Sequence, residues 1–265
     1  MRGLAASVES MEQLAVAWRA MVLDRDSGAD VRDLPGVAVR WADCRFSFWN
    51  AITLTEVGAD SDLLRRRLAQ AVEIMRSKEY PGFLWLFEDL LDDGARCVLE
   101  EAAKQSGLQY AFGGTGMAGD ILPIADPVHP DLTFVRVSTD EQLRAYADIN
   151  ARGYGFPLEE GRDGVVGSVL WKNEVHAYLA MRGGVPVACA GTIAADGRLF
   201  VVLVATEPQW QRRGYGEAVT RKALYEGCRA TGLTRATLHA TVAGAPVYPR
   251  IGFTPNSPIH FFALA

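Results

Sequence analysis

The segment that most restricts the fold lies between an apolar run and a stretch with helical periodicity. Leu199–Val204 contains only apolar residues, as expected of a central strand. Apolar residues at helical spacing then run from Ala218 to Cys228. The connection between them ends in Gln-Arg-Arg-Gly-Tyr-Gly, where two glycines without Cβ atoms let backbone amides approach a ligand closely. This order predicts an α/β fold with an anion site at a helix N-terminus.

The residues of this loop are suited to a pyrophosphate group. They are Gln211, Arg212, Arg213, Gly214, Tyr215 and Gly216. The helix that starts here directs unpaired N–H groups and its positive dipole end at one point, and the arginines could add charge-assisted hydrogen bonds. The alternative is an ordinary glycine-rich connection with solvated arginines.

A proline-rich segment near the midpoint divides the chain. Leu122–Pro130 has three prolines, which exclude helix geometry and remove backbone donors. We predict a linker at 122–130, an N-terminal domain at 1–121 and a C-terminal domain at 131–265. In the latter, hydrophobic periodicity and turn signals predict the order β-α-α-β-β-β-α-β-α-β.

The N-terminal half partly repeats this order. Its predicted elements are a strand at 46–55, a helix at 61–75, a strand at 83–87 and a helix at 94–105. Two interpretations are open: a diverged internal duplication, or an unrelated α+β domain. Residues 55–60 enter the helix without a GxG, so we expect no second anion loop. Gly113–Gly116 contains a GxG without a following helix, and is interpreted as a flexible turn.

Composition limits the classes of partner. Thirty-two acidic residues against 27 basic ones give a net charge of −5, which provides no general attraction to nucleic acid or anionic membrane. The four cysteines form neither CxxC pairs nor Cys/His clusters, so neither disulfides nor a metal site are expected. We expect a cytoplasmic protein, monomeric or homodimeric, without membrane spans.

Three motifs taken together resemble those of the GCN5-related N-acetyltransferases, the GNAT family. They are Val204-Ala-Thr-Glu-Pro208, the loop 211–216, and Tyr248 followed by Gly252-Phe253. The resemblance covers about half of the chain. It implies a mixed-sheet acyl-CoA N-acyltransferase fold for residues 131–265. If the N-terminal half is a duplicate, the protein is a tandem in which residues 1–121 are a degenerate lobe without a coenzyme loop.

The resemblance also implies an activity and a set of site residues. Acetyl-CoA would be the co-substrate and an amine of a small molecule the acceptor, with the coenzyme pyrophosphate on the loop 211–216. The preceding strand would bind the pantetheine arm and the thioester through Leu203, Val204, Ala205 and Thr206. Tyr248 would protonate the departing thiolate as general acid; the alternative is a tyrosine packed on the core.

The general base is less evident from the sequence. The apolar strand carries no carboxylate, and the nearest one, Glu207, is expected to face solvent. His239 titrates in a useful range and is the candidate base, with a hydrogen-bonded strand histidine as the alternative.

Substrate-pocket candidates lie where the family has its variable substrate-binding segment. They are Tyr154, Phe156, Glu159 and Glu160; the two aromatic residues could equally anchor a loop to the core. Two other functions remain open: a non-catalytic acyl-CoA-binding sensor or interaction module, and an acyltransferase with a carrier-bound or tRNA-bound donor. Arg65–Arg67 would supply the basic patch for tRNA.

Overall fold

Helices and strands alternate along most of the chain in the computed structural model, which describes residues 2–121 and 124–265. The helices are α1 (Arg2–Arg25), α2 (Ser61–Arg76), α3 (Asp93–Gln105), α4 (Asp140–Tyr154), α5 (Leu158–Val165), α6 (Val169–Asn173) and α7 (Tyr215–Thr231). The strands are β1 (Asp30–Leu34), β2 (Val37–Trp41), β3 (Asn50–Leu54), β4 (Phe83–Phe87), β5 (Leu108–Asp120), β6 (Thr133–Arg136), β7 (Tyr178–Arg182), β8 (Val185–Ala195), β9 (Arg198–Thr206), β10 (Arg235–Thr241) and β11 (Thr254–Leu264). These elements form the mixed α/β fold that was predicted.

The chain divides into two compact units. Unit 1 comprises Met1–Met117, His239–Ala245 and Pro255–Ala265, and unit 2 comprises Ala118–Leu238 and Pro246–Thr254. Three strands, β5, β10 and β11, therefore have residues in both units. The predicted boundaries instead gave the whole segment 131–265 to one domain, and they stay a prediction. Leu122 and Pro123 of the predicted linker lie outside the described residues, and residues 124–128 form neither helix nor strand.

Unit 1 is built on a sheet in which antiparallel and parallel pairs are mixed. β1 pairs with β2 and β2 with β3 in antiparallel orientation, whereas β3 pairs with β4 in parallel. α2 supplies the crossover between the parallel strands, which such a pair requires. Its buried residues, including Leu64, Leu68 and Met75, recur at helical spacing and pack on the apolar face of the sheet.

One interpretation of the N-terminal half is wrong. Gly113–Gly116, expected to be a flexible turn, lies within β5. Close packing explains why this segment contains glycines, since a Cβ on Gly114 would lie 2.9 Å from the carbonyl oxygen of Ala240. The glycines of this segment therefore permit close approach of backbones within a strand, rather than a turn.

Residues 131–265 have the predicted order, with one short helix, α6, added before β7. β6, β7, β8 and β9 pair successively in antiparallel orientation, and β9 pairs in parallel with β10 after the crossover helix α7. α4 begins with a capping box, in which Thr139 Oγ1 accepts from the Gln142 amide and Gln142 Oε1 accepts from the Thr139 amide. Val219 and Ala223 of α7 are fully buried against the sheet. The predicted last helix is a 3-10 helix, Ala245–Arg250.

The two units share a pattern of strand pairing. In each, an antiparallel three-strand meander is followed by a crossover helix and then by a strand parallel to the third. This agreement favours a duplication over an unrelated α+β domain. The tandem interpretation nevertheless stays a prediction.

None of the helices in residues 2–121 and 124–265 is both long enough and apolar enough to cross a membrane. Within the same ranges, no three His, Cys, Asp or Glu side chains are grouped so that they could hold a metal ion.

Candidate functional site

Strand β9 has a free edge along its second half. It pairs with β8 as far as Thr206, whereas its parallel pairing with β10 consists of Leu199–Ala236 and Phe200–Thr237 among the described residues. From Val201 onward, the backbone groups on that edge have no strand partner in the described part of the chain. Such an edge can bind an extended ligand by main-chain hydrogen bonds, as an added strand would.

A β-bulge interrupts the same stretch. The register with β8 shifts between Cys189–Ala205 and Gly191–Val202, so Leu203 and Val204 fall outside the ladder. Leu203 has a φ of 47°, in the left-handed region that a leucine rarely adopts. Such a conformation costs about 1–3 kcal/mol and persists only where surrounding contacts enforce it.

The contacts that enforce the bulge come from α4. The Tyr146 hydroxyl donates to the carbonyl oxygen of Leu203 at 2.9 Å and also lies 3.3 Å from that of Val202. The Tyr154 hydroxyl donates to the carbonyl oxygen of Val204 at 2.7 Å. Thus all three carbonyls of the bulge accept hydrogen bonds from side chains of one helix.

An ion pair holds the chain just beyond the bulge. Glu207 is 5% exposed, and its carboxylate accepts two hydrogen bonds from Arg152 Nε, at 3.0 and 2.9 Å, and one from Arg152 Nη2. The expectation that Glu207 faces solvent is therefore wrong. A carboxylate held this way has a structural role, because the guanidinium occupies both of its oxygens.

The loop after β9 ends in an open helix N-terminus. Gly214 is the N-cap of α7, with φ 80°, and no side chain caps the helix. Gln211, Arg212, Arg213 and Gly214 are all exposed, and Arg212 also has a positive φ of 60°. The first amides of α7 are thus available to an anion at the positive end of the helix dipole.

Two arginine side chains make cation–π contacts with the indole ring of Trp210 beside this loop. The guanidinium carbons of Arg182 and Arg213 lie 4.7 and 4.9 Å from the ring centroid of Trp210. Within the described ranges, no carboxylate forms an ion pair with Arg182, Arg212 or Arg213. Their positive charge is therefore available to a ligand, whereas Tyr215 is buried in the core of unit 2 and can contribute only its backbone.

Tyr248 lies in the 3-10 helix Ala245–Arg250 and is 7% exposed. Its ring packs edge-on against Phe253, which explains the Tyr-x-x-x-Gly-Phe spacing. Burial raises the pKa of Tyr248 to about 12. Burial also raises the pKa values of Tyr154 and Tyr146 well above normal, and the nearby Tyr248 phenol adds to both shifts. The predicted acid therefore lies close to the tyrosines that hold the bulge.

His239 belongs to unit 1, where its surroundings are those of a hydrogen-bonded strand histidine. Its Nε2 lies 3.0 Å from Ser10 Oγ, and the rings of Trp85 and Phe87 lie 5.6 and 5.5 Å from the imidazole. Burial lowers the pKa of His239 to about 3, although a hydrogen bond with Ser10 opposes the shift. Such an imidazole is a poor proton acceptor near neutral pH. Its assignment as a base stays a prediction without structural support.

The four substrate-pocket candidates have distinct environments in unit 2. The Tyr154 hydroxyl is bound to Val204, and its ring lies 6.4 Å from that of Phe156. Glu159, exposed, and Glu160, half-buried, lie in the first turn of α5, where carboxylates stabilise a helix. Their assignment to a substrate pocket stays a prediction.

Two residues of α4, Tyr146 and Asn150, were not expected from the sequence, and Tyr154 was expected only as a substrate-pocket residue. Tyr146, Asn150 and Tyr154 are spaced four apart, so they share one face of the helix. The signal available in the sequence was the presence of two tyrosines and an asparagine on a helix face whose other residues are typical of the core. A buried polar residue needs a hydrogen-bond partner, and here the partners are the bulge carbonyls and Cys189.

Residues 173–255 match the family model of the acetyltransferase (GNAT) domain, a range that includes the bulge, the loop and Tyr248. No protein in a curated collection matches the chain.

Several solved structures share the fold. A GCN5-related N-acetyltransferase from Kribbella flavida superposes with a TM-score of 0.67 at 19% identity, covering 94% of each chain. One from Sphaerobacter thermophilus gives a TM-score of 0.58 at 13% identity, covering 86% of this chain and 76% of the other. A GCN5-related N-acetyltransferase-like protein from Streptococcus suis gives 0.54 at 14% identity, covering 99% of this chain and 100% of the other. Residues 173–255 thus match the acetyltransferase (GNAT) domain model, and the chain shares the fold of these GCN5-related N-acetyltransferases.

Proposed function

We propose that the protein transfers an acetyl group from acetyl-CoA to an amine of a small molecule. The observation that carries this proposal is the continuity of the free edge of β9 with the uncapped N-terminus of α7. An extended chain bound along the edge would bring its terminal pyrophosphate to the amides after Gly214, where the helix dipole and unpaired arginines favour an anion. Coenzyme A has this form: a long amide-bearing arm that ends in a nucleotide pyrophosphate.

The proposed reaction is a direct attack on the thioester. The neutral amine nitrogen bonds to the carbonyl carbon, and the oxyanion that forms accepts hydrogen bonds from amides of the bulge. The carbon–sulfur bond then breaks, and Tyr248 gives its proton to the coenzyme A thiolate. The amine nitrogen loses a proton to water, and water returns a proton to the Tyr248 phenolate. Tyr248 is suited to this role because its raised pKa keeps the phenol protonated near neutral pH.

A panel of small amines with acetyl-CoA tests the proposal. Thiol release should exceed that of the amine-free control for at least one class of amine, with the acetylated product visible by mass spectrometry. The rate should rise with pH until the acceptor amine is largely neutral, since only that form attacks. Binding of acetyl-CoA with no turnover across the panel would instead identify a non-catalytic acyl-CoA-binding module.

A tRNA-bound donor gains little support from α2. Arg67 pairs with Glu56 at 2.8 Å, and Arg65 lies 3.5 Å from Asp62. Two of the three arginines proposed as a basic patch thus have a carboxylate partner. This reduces the positive field available to phosphates.

We expect one coenzyme A to bind per chain. In unit 1, the crossover helix α2 is capped by a carboxylate: Asp60 accepts from the Leu63 amide at 2.8 Å, whereas no side chain caps α7. A pyrophosphate would be repelled there, whereas the N-terminus of α7 is open. Isothermal titration calorimetry should give a stoichiometry of one. Two equivalent binding events would contradict the assignment of unit 1 as a lobe without a coenzyme site.

A further inference from the structure

The bulge of β9 is held by two phenols from the same helix face. Tyr146 bonds to the carbonyls of Val202 and Leu203, and Tyr154 bonds to that of Val204. Tyr146 is fully buried. A phenol with a raised pKa keeps its proton, so both side chains remain donors throughout the physiological pH range.

A hydrogen bond that fixes the direction of a carbonyl group also fixes the direction of the next residue's amide. A peptide unit is planar and trans, so the N–H of each residue points opposite to the C=O of the residue before it. The bonds from Tyr146 therefore set the directions of the Leu203 and Val204 amides, and the bond from Tyr154 sets that of Ala205. Leu203 and Val204 have no paired residue in the register between β8 and β9. Among the described residues, the last residue of β9 that pairs with β10 is Phe200.

The amide of Ala205 has a separate partner. It donates to the sulfur of Cys189, which also accepts from Asn150 Nδ2 at 3.0 Å. Asn150 is on the same face of α4, between the two tyrosines. The amides directed by Tyr146 are thus the ones left for a ligand, while Tyr154 and the Asn150–Cys189 pair hold the carboxyl side of the bulge.

We propose that Tyr146 and Tyr154 are positioning residues, which hold the β9 bulge so that the amides of Leu203 and Val204 point at the thioester carbonyl oxygen. This inference rests on the proposed function and deepens it. A strained Leu203 needs an enforcing contact, and the two phenols provide one on each side of it. Neither tyrosine takes part in a bond change; each acts through the backbone that it orients.

Hydroxyl deletion tests the proposal with little change of packing. We expect Tyr154→Phe and Tyr146→Phe each to lower kcat about 10-fold, because a misdirected amide loses part of an oxyanion interaction whose complete removal costs about 100-fold or more. The KM for acetyl-CoA should stay within about threefold, because the loop 211–216 is untouched. Tyr178→Phe is the matched control: Tyr178 is also buried in unit 2, but it lies in β7 and makes no bond to the bulge.

Amide hydrogen exchange provides a readout that does not depend on turnover. In the two variants, exchange in the segment 201–206 should rise about 10-fold or more, with α7 and β7 unchanged and the thermal midpoint close to that of Tyr178→Phe. If neither kcat nor exchange differs from the control, the proposal is overturned. If the wild type acetylates no amine, the proposed function fails, and the exchange of residues 201–206 still decides whether the tyrosines hold the bulge. If Tyr146→Phe does not fold, Tyr154→Phe alone decides it.

Discussion

Replacing Tyr248 with phenylalanine should lower kcat about 100-fold or more while the dissociation constant for coenzyme A stays within about threefold. Proton transfer by a positioned side chain contributes about 10²–10⁴-fold to a rate, and phenylalanine keeps the ring but has no proton to give. The ring packs edge-on against Phe253, so the shape of the site is preserved. Steady-state kinetics with a reactive amine and calorimetric titration with coenzyme A measure the two quantities separately.

The pH profile strengthens this test. Because burial raises the pKa of Tyr248 to about 12, the phenol remains protonated over the whole range in which the protein can be assayed. We therefore expect kcat of the wild type to rise with pH as the amine loses its proton, without a fall near pH 10, where an ordinary phenol would ionise. The variant should keep the rising limb, at a lower level.

Tyr225→Phe is a suitable control for Tyr248. Tyr225 lies half-exposed on α7, within cation–π distance of Lys222, and belongs to no part of the proposed site. It should leave kcat unchanged. Equal losses of kcat and coenzyme affinity in Tyr248→Phe would show that the residue supports the structure and does not act as the acid.

Local patterns predicted the parts of the site that depend on neighbours in sequence. The loop 211–216, the strand before it and the helix after it follow from glycine positions and apolar periodicity, and β4 was predicted with the bounds observed. The residues that determine each of these elements lie within the element itself or directly beside it in sequence. The hairpin of β1 and β2 was missed, since Asp30–Leu34 contains three charged residues and is half exposed.

The remaining parts depend on contacts between distant segments. His239 looked like a base in its own strand, but burial lowers its pKa, and the hydrogen bond with Ser10 only partly opposes this shift. Trp85, Phe87 and Ser10, which surround the imidazole, are all distant from it in sequence. The bulge at Leu203 has no glycine, asparagine or proline to mark it. It is enforced by tyrosines some fifty residues earlier in the chain, at separations of 57 and 50 residues. Such features can be recognised only once the packing of α4 on β9 is known.

Gly214→Val should reduce affinity for coenzyme A about 100-fold or more. Gly214 has a φ of 80°, which a β-branched residue adopts only with strain, so the loop must rearrange where its amides converge. A valine side chain would also project from the exposed position that a pyrophosphate must approach. Losing several charge-assisted hydrogen bonds together accounts for the size of the effect.

The opposite end of the same helix provides the control. Gly232 is the C-cap of α7 with φ 75°, and, as at Gly214, a Cβ there would meet no atom within 4 Å. Gly232→Val should therefore impose a similar backbone strain, about 1–2 kcal/mol, and a similar fall in the thermal midpoint. It should leave coenzyme A binding nearly unchanged, because the C-terminus of α7 offers carbonyls and the negative end of the dipole. Equal loss of binding in the two variants would mean that helix stability controls affinity. If Gly214→Val kept its affinity for coenzyme A, the assignment of the pyrophosphate to the loop 211–216 would be wrong.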